Sequence, residues 1–379
     1  SNTALGYFSL SANTTASNNT ALGASALAAN TTGNSNVAVG TNALDANTTA
    51  SYNIAIGRDA LGVNTTGANN IAIGHEALDA NTTASGNVAV GYSALTANTT
   101  GAGNTGIGFQ ALDANTTAAN NTGLGYNVLS ANTTGADNTA VGSQALAANS
   151  TGANNVAVGQ LALNDNTTAS SNTAVGYNSL AANTTGTQNV AIGTYALDAN
   201  ITNNNNTAIG YAAFTTLNGG AENVAIGSSA GNAQTTASGS TFVGHYAGTA
   251  TTTGSNNTAV GLSALAANTT GTQNVAVGSA CLDSNTTASY NTGVGYNVLE
   301  ATTTGGSNTA MGRYAMAANT TGANNVAVGI SALDANTTGD ENTALGDGAL
   351  GANTTADKNV AVGARSMLSN TTGSNNTAV

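Results

Sequence analysis

The stretch Asn36-Val37-Ala38-Val39-Gly40-Thr41-Asn42-Ala43-Leu44-Asp45-Ala46-Asn47-Thr48-Thr49-Ala50-Ser51-Tyr52 contains one full period of the chain, and its reading decides the fold. Asn2 is followed by Asn19, Asn36, Asn53 and Asn70, and so on to Asn376, always 17 residues apart; only Ser240 interrupts the series of 23. Counted from that Asn, the chain is one leading residue, 22 full units and four trailing residues, with no insertion or deletion. A disordered segment has no means of keeping such a phase, because a floppy chain tolerates changes of length. Position 4 of the unit is always a large aliphatic, position 5 is Gly in all 22 full units, and position 9 is Leu in 17 of them. Positions 6, 7, 10, 16 and 17 vary freely and hold nearly all the charges. Residues 1–379 therefore read as one continuous repeat array, with irregular coils at 212–254.

Seventeen residues cannot hold two helices and a turn, which excludes helical repeats of roughly 33–47 residues. Positions 2 to 4 alternate a β-branched residue, a small one and an aliphatic, which is the period of a strand. The Gly at position 5 fits a sharp bend, a second strand is expected over positions 7–11, and Asn-Thr-Thr suits the return turn. The expected fold is all-β, a parallel β-solenoid or β-roll of about 22 coils with 17 residues per coil. Coils stacked at ~4.7–4.8 Å would make a rod on the order of 100 Å long. Gly40, Val39, Leu44 and Asn47, with their equivalents every 17 residues, are the expected structural positions.

Position 3 is Ala 19 times, Gly three times and Phe242 once. Alternation points it away from positions 2 and 4, so Ala38, Ala55, Ala72 and Ala89 are expected to line an outer face against which another chain packs closely. The alternative is a bend that turns position 3 inward beside position 4. Each coil offers about two large aliphatics to a core, little against the entropy of ordering its backbone. Association into a closed symmetric homo-oligomer would supply the missing burial.

Charged residues are 5% of the chain, against roughly 25% in ordinary soluble domains, and the net charge is −12. Four basic residues, Arg58, Arg313, Lys358 and Arg365, cannot make the basic surface that nucleic acid requires. No apolar run approaches the ~20 residues of a membrane span. A single Cys281 excludes an internal disulfide framework. The chain starts and stops within a repeat and reads as a piece of a longer one.

The runs Asn-Val-Ala-Val-Gly and Asn-Thr-Ala-Val-Gly, followed by two variable residues and Ala, resemble the head repeat of trimeric autotransporter adhesins. The likeness covers the whole chain: Val37, Ala38, Val39 and Gly40 match the core of that repeat, and Ala43 the small residue that follows. It implies a left-handed β-roll, a homotrimer, a place outside the cell on a bacterial surface, and a role in adhesion. Similar arrays occur in phage-type fibre proteins that bear a C-terminal self-cleaving chaperone. The 17-residue unit with its Asn-Thr-Thr turn is longer than the usual adhesin repeat.

Few residues invite chemistry. His75 and His245 both occupy position 6 but lie ten coils apart, roughly 47 Å, and cannot share a metal or a proton; they read as surface residues. Cys281 reads as a small buried hydrophobe. Asp45, Asp79, Asp113, Asp198, Asp283 and Asp334 recur at position 10. A calcium site needs six to eight converging oxygens, and the first three aspartates stand on alternate coils, roughly 9.5 Å apart, so solubilising charge is the favoured reading over calcium. No cofactor is expected. The triplets at Asn13, Asn30 and Asn47 fit a glycosylation sequon that recurs in 18 of 22 units. The competing reading is a turn-forming Asn whose amide stacks in a ladder. Tyr7, Tyr92, Phe109, Tyr126, Tyr177, Tyr211 and Tyr296 collect at position 6 and read as a scattered set, either a binding stripe or packing over the bend. In 212–254, Gly231 and Gly248 delete core leucines, and the Phe242 ring is expected to fill part of that space.

The expected function is a structural shaft or spacer of an extracellular fibre or adhesin, without enzymatic chemistry. The alternatives are an ice- or surface-binding solenoid, with Thr14-Thr15 and Thr31-Thr32 as the candidate stripe, and a phage-type tail-fibre segment. A glycan-cleaving fibre would need paired carboxylates across a groove, and no such pair can be named.

Overall fold

The computed structural model describes residues 1–379 and divides into two compact units, Ser1–Gln188 and Asn189–Val379. Both are parallel β-solenoids, and together they make about 22 turns of 17 residues. The first unit carries eleven strands, β1 (Thr3–Leu5) to β11 (Thr173–Val175), and the second carries twelve, β12 (Val190–Ile192) to β23 (Thr377–Ala378). Within each unit the strands pair in chain order. Val37, Ala38 and Val39 lie beside Ile54, Ala55 and Ile56, which lie beside Ile71, Ala72 and Ile73. The second unit repeats the pattern, with Val275 beside Thr292 and Val277 beside Val294. Seventeen residues along the chain are one strand step across the sheet.

The strand presents its faces the other way round from the expectation. Ala38, Ala55, Ala72 and Ala89 point into their own coils and are fully buried, so they are not an oligomer face. Positions 2 and 4 point outward; Ile56, Ile73 and Val158 remain 36–39% exposed. The reason is width. A methyl group built at Gly106, which holds position 3, would touch the Leu95 side chain of the preceding coil at 3.3 Å. Only a small residue fits opposite that leucine, and the β-branched residues are left for the outside.

No second strand forms over positions 7–11. The chain there makes overlapping turns, in which the Ala43 amide donates to the Gly40 carbonyl and the Asn47 amide to the Leu44 carbonyl. Asn42 (φ 57°) and Leu44 (φ 52°) are both left-handed, and their equivalents repeat this in every coil. A strand would send neighbouring side chains to opposite faces. These turns let Ala43 and Leu44 both face inward, and both are fully buried. Ladder bonds between coils continue through the turns, as from the Leu44 amide to the Ala60 carbonyl.

Gly40 sits at the corner with φ 136°, and a Cβ there would stand 2.5 Å from the Gly57 carbonyl oxygen of the next coil. Both the backbone conformation and the close approach of successive coils demand glycine.

The irregular coils keep the interior filled. A side chain at Gly248 would meet Phe242 Cδ1 at 2.6 Å, and one at Gly231 would meet Phe242 Cδ2 at 2.8 Å. The Phe242 ring thus fills the space at Gly248 and part of that at Gly231, where the Phe214 ring stands nearer still; the two ring centres are 6.1 Å apart. Phe242→Ala should cost about 3–5 kcal/mol, the usual penalty for emptying a buried aromatic site. The exposed control Leu262→Ala should shift stability by no more than ~0.5 kcal/mol. Denaturant unfolding of the two variants checks this, and equal midpoints would show that the ring is not a core element.

Candidate functional site

Each coil has a polar interior seam and three outward columns, and these are where the residues singled out from the sequence come to lie. The seam is made by the asparagines at positions 1 and 12. Asn36 Nδ2 donates to the Ala50 carbonyl at 2.9 Å, and Asn47 Nδ2 donates to the same carbonyl at 3.1 Å. Each amide is also tied to the neighbouring coil. The Asn36 backbone N–H donates to Asn19 Oδ1, and Asn47 Nδ2 donates to Asn30 Oδ1, both at 2.9 Å.

Asn30 and Asn47 are completely buried. Their side-chain nitrogens are engaged inside the coil, so the folded array does not offer them for glycosylation. Asn13 in the first coil is partly buried and donates to the Ala16 carbonyl. At position 13, Thr31 Oγ1 donates to the Thr48 carbonyl at 2.9 Å. That hydroxyl belongs to the coil contact, which leaves Thr32 at position 14 as a single exposed column.

The aspartates at position 10 are half-buried beside the turns. Burial raises the pKa of Asp45, Asp79, Asp113, Asp198, Asp283 and Asp334 above the ordinary aspartate value. Asp79 is raised further by the nearby charges of Asp59, Glu76 and Asp45, and Asp283 by Glu300. Cys281 is buried, and burial pushes its thiol up to about 12, which keeps it protonated and unreactive.

The column at position 6 departs from the sequence reading. Tyr92, Phe109 and Tyr126 occupy three consecutive coils, and His75 precedes them. Ring centres stand 5.3, 5.3 and 5.5 Å apart along the series, with planes within 6–12° of parallel. At the His75 end, Asp59, His75 and Glu76 place their ligand-type atoms within 4.8 Å of one another. The Arg58 guanidinium lies among them, 3.1 Å from Asp59, 3.9 Å from Glu76 and in contact with the His75 ring. Reasoning about His75 and His245 as a pair missed this cluster. The available signal was the spacing of 17 between Arg58 and His75 and between Asp59 and Glu76.

Positions 2 and 4 form an outward column rich in aliphatic and β-branched side chains. It holds Thr, Val, Ile, Leu or Met in every coil of both units, and much of it is half-exposed. No protein-family model matches this chain, and no curated protein matches it.

The raised aspartates give a direction to the pH dependence. A carboxyl whose folded pKa exceeds its unfolded value binds more protons when folded, so stability falls as pH rises through the window between the two. That window begins near the ordinary value of ~3.9 and extends upward. Thermal unfolding should therefore move to higher temperature as pH is lowered from about 7 to about 4. Converting Asp113 and Asp198 to Asn should flatten that slope and raise the midpoint at neutral pH. A midpoint that falls on acidification would contradict the assignment.

Proposed function

We propose that this chain is a structural spacer in an extracellular bacterial fibre and that it self-associates as a homotrimer through the outward column of positions 2 and 4. The supporting observation is that column. A soluble monomer rarely leaves so long an apolar surface uncovered, and here it recurs without a break through every coil of each unit. A closed ring of identical chains covers such a face with one kind of contact. The resemblance to adhesin head repeats supports three chains and a cell-surface position, and similar arrays in phage-type fibres fit the same mechanical role. The face that associates is the β-branched one, since the alanines at position 3 are spent inside the coil. Adhesion and stiffness then follow from the array as a scaffold, without chemistry at any one residue.

Light scattering after size exclusion should give the mass of three chains. Replacing Ile56, Ile73 and Val90 together by Lys puts three charges on the face and should reduce the mass to that of one chain. Replacing Thr32, Thr49 and Thr66 by Lys puts the same charge on the exposed column at position 14 and should leave the mass at three. A wild-type chain that runs as a folded monomer would overturn the proposal.

A further inference from the structure

The aromatic series at His75, Tyr92, Phe109 and Tyr126 is more than the fold requires. Position 6 holds Ala24, Thr41, Ser143, Gln160 and Ser228 in other coils, which form the same strands and the same corner. At these four successive coils it instead holds four rings, and Tyr92, Phe109 and Tyr126 are 43–53% exposed. Because the rings face one another along the column, their outer margins form a narrow apolar strip of three coil steps, roughly 14 Å long. A compact ligand would touch one ring of such a strip. A long flat one laid parallel to the column would touch all four.

Charge selects further. Asp59 and Glu76 flank the His75 end of the strip, and the Asp59 charge lies near enough to Asp45 and Asp79 to help raise the pKa of both. Against these four carboxylates stands one basic residue, Arg58. Its guanidinium, a flat delocalised cation, already lies against the His75 ring and between the two carboxylates. Arg58 offsets only one of the four charges, so the end of the column keeps a net negative charge that suits a cation.

We infer that the strip from Arg58 to Tyr126 is a binding site for an elongated, planar aromatic cation that lies along the column with its positive end at Asp59 and Glu76. The ring series supplies contact area and the carboxylates fix the direction of the ligand. The site lies within the first unit and does not depend on self-association.

Thioflavin T, a rod-like benzothiazolium cation, is a suitable probe for the full chain, read by its fluorescence. Saturable binding at one site per chain is expected, weakening as salt is added. Tyr92→Ser, Phe109→Ser and Tyr126→Ser combined should weaken it at least about tenfold, while circular dichroism stays unchanged. Asp59→Asn with Glu76→Gln should weaken it several-fold and remove most of the salt dependence. Should the serine variant fold poorly, leucine at the same three positions keeps apolar bulk, as Leu262 does naturally, but removes the flat rings, and should lose binding equally. Equal affinity of the wild type and the folded ring-less variant, or no saturable binding to the wild type, would overturn the inference.

Discussion

The structure depends on a carbonyl that faces inward. At the end of each return turn, the carbonyl of position 15 points into the coil, away from water, where an unpaired acceptor is expensive. Two asparagines meet it: Asn36 and Asn47 both donate to Ala50, and Asn53 and Asn64 both donate to Gly67. These side chains come from opposite ends of the unit, eleven residues apart, so the coil is closed across its middle by a polar contact. The remaining amide oxygen of each reaches the next coil. An insertion within a regular unit would pull an asparagine out of its column; where Leu217, Gln234, Ser240 and Thr251 replace the asparagines, the strand ladder still keeps the 17-residue step.

That seam fixes the width of the coil, and the width decides the apolar residues. Opposite each leucine there is room for a methyl group and little more. Where the wall thickens, the facing position thins. Val128 replaces the usual Ala at position 8, and a Cβ at Gly123 would be 3.1 Å from it; Cys281 stands where a Cβ at Gly293 would come within 2.5 Å of its sulfur. Phe242 inverts the exchange, as a large residue at position 3 faces glycines where leucines would be. The interior conserves volume rather than identity, as close-packed cores do.

Much of this was legible in the sequence. The period, the parallel stacking in register, the corner glycine, the inward leucine, the stacked asparagine amides and the Phe242 substitution can all be read from columns of residues 17 apart. The sidedness of the strand was not. A small residue is required both at a tight contact between chains and at the narrow wall of a thin coil, so nineteen alanines at position 3 do not say which. Leu44 and its equivalents in the left-handed region were equally hidden. Leucine does not favour that conformation, and only the closed coil imposes it. The charged cluster at Arg58, Asp59, His75 and Glu76 escaped because each residue looks solitary along the chain and finds its neighbours only across it.

A stacked array also changes what a single residue can do. In a globular domain, a tyrosine at a tolerant surface position is one tyrosine. Here the interior is committed to holding register, and the positions free of that duty repeat at a fixed strand step. The same choice made in adjoining units becomes a line on the surface, whether of rings, charges or β-branched side chains. The apolar line runs through every coil of each unit. The aromatic line runs through four coils and stops at Ser143. Length along the array thus separates the surface proposed to join chains from the strip proposed to receive a small molecule.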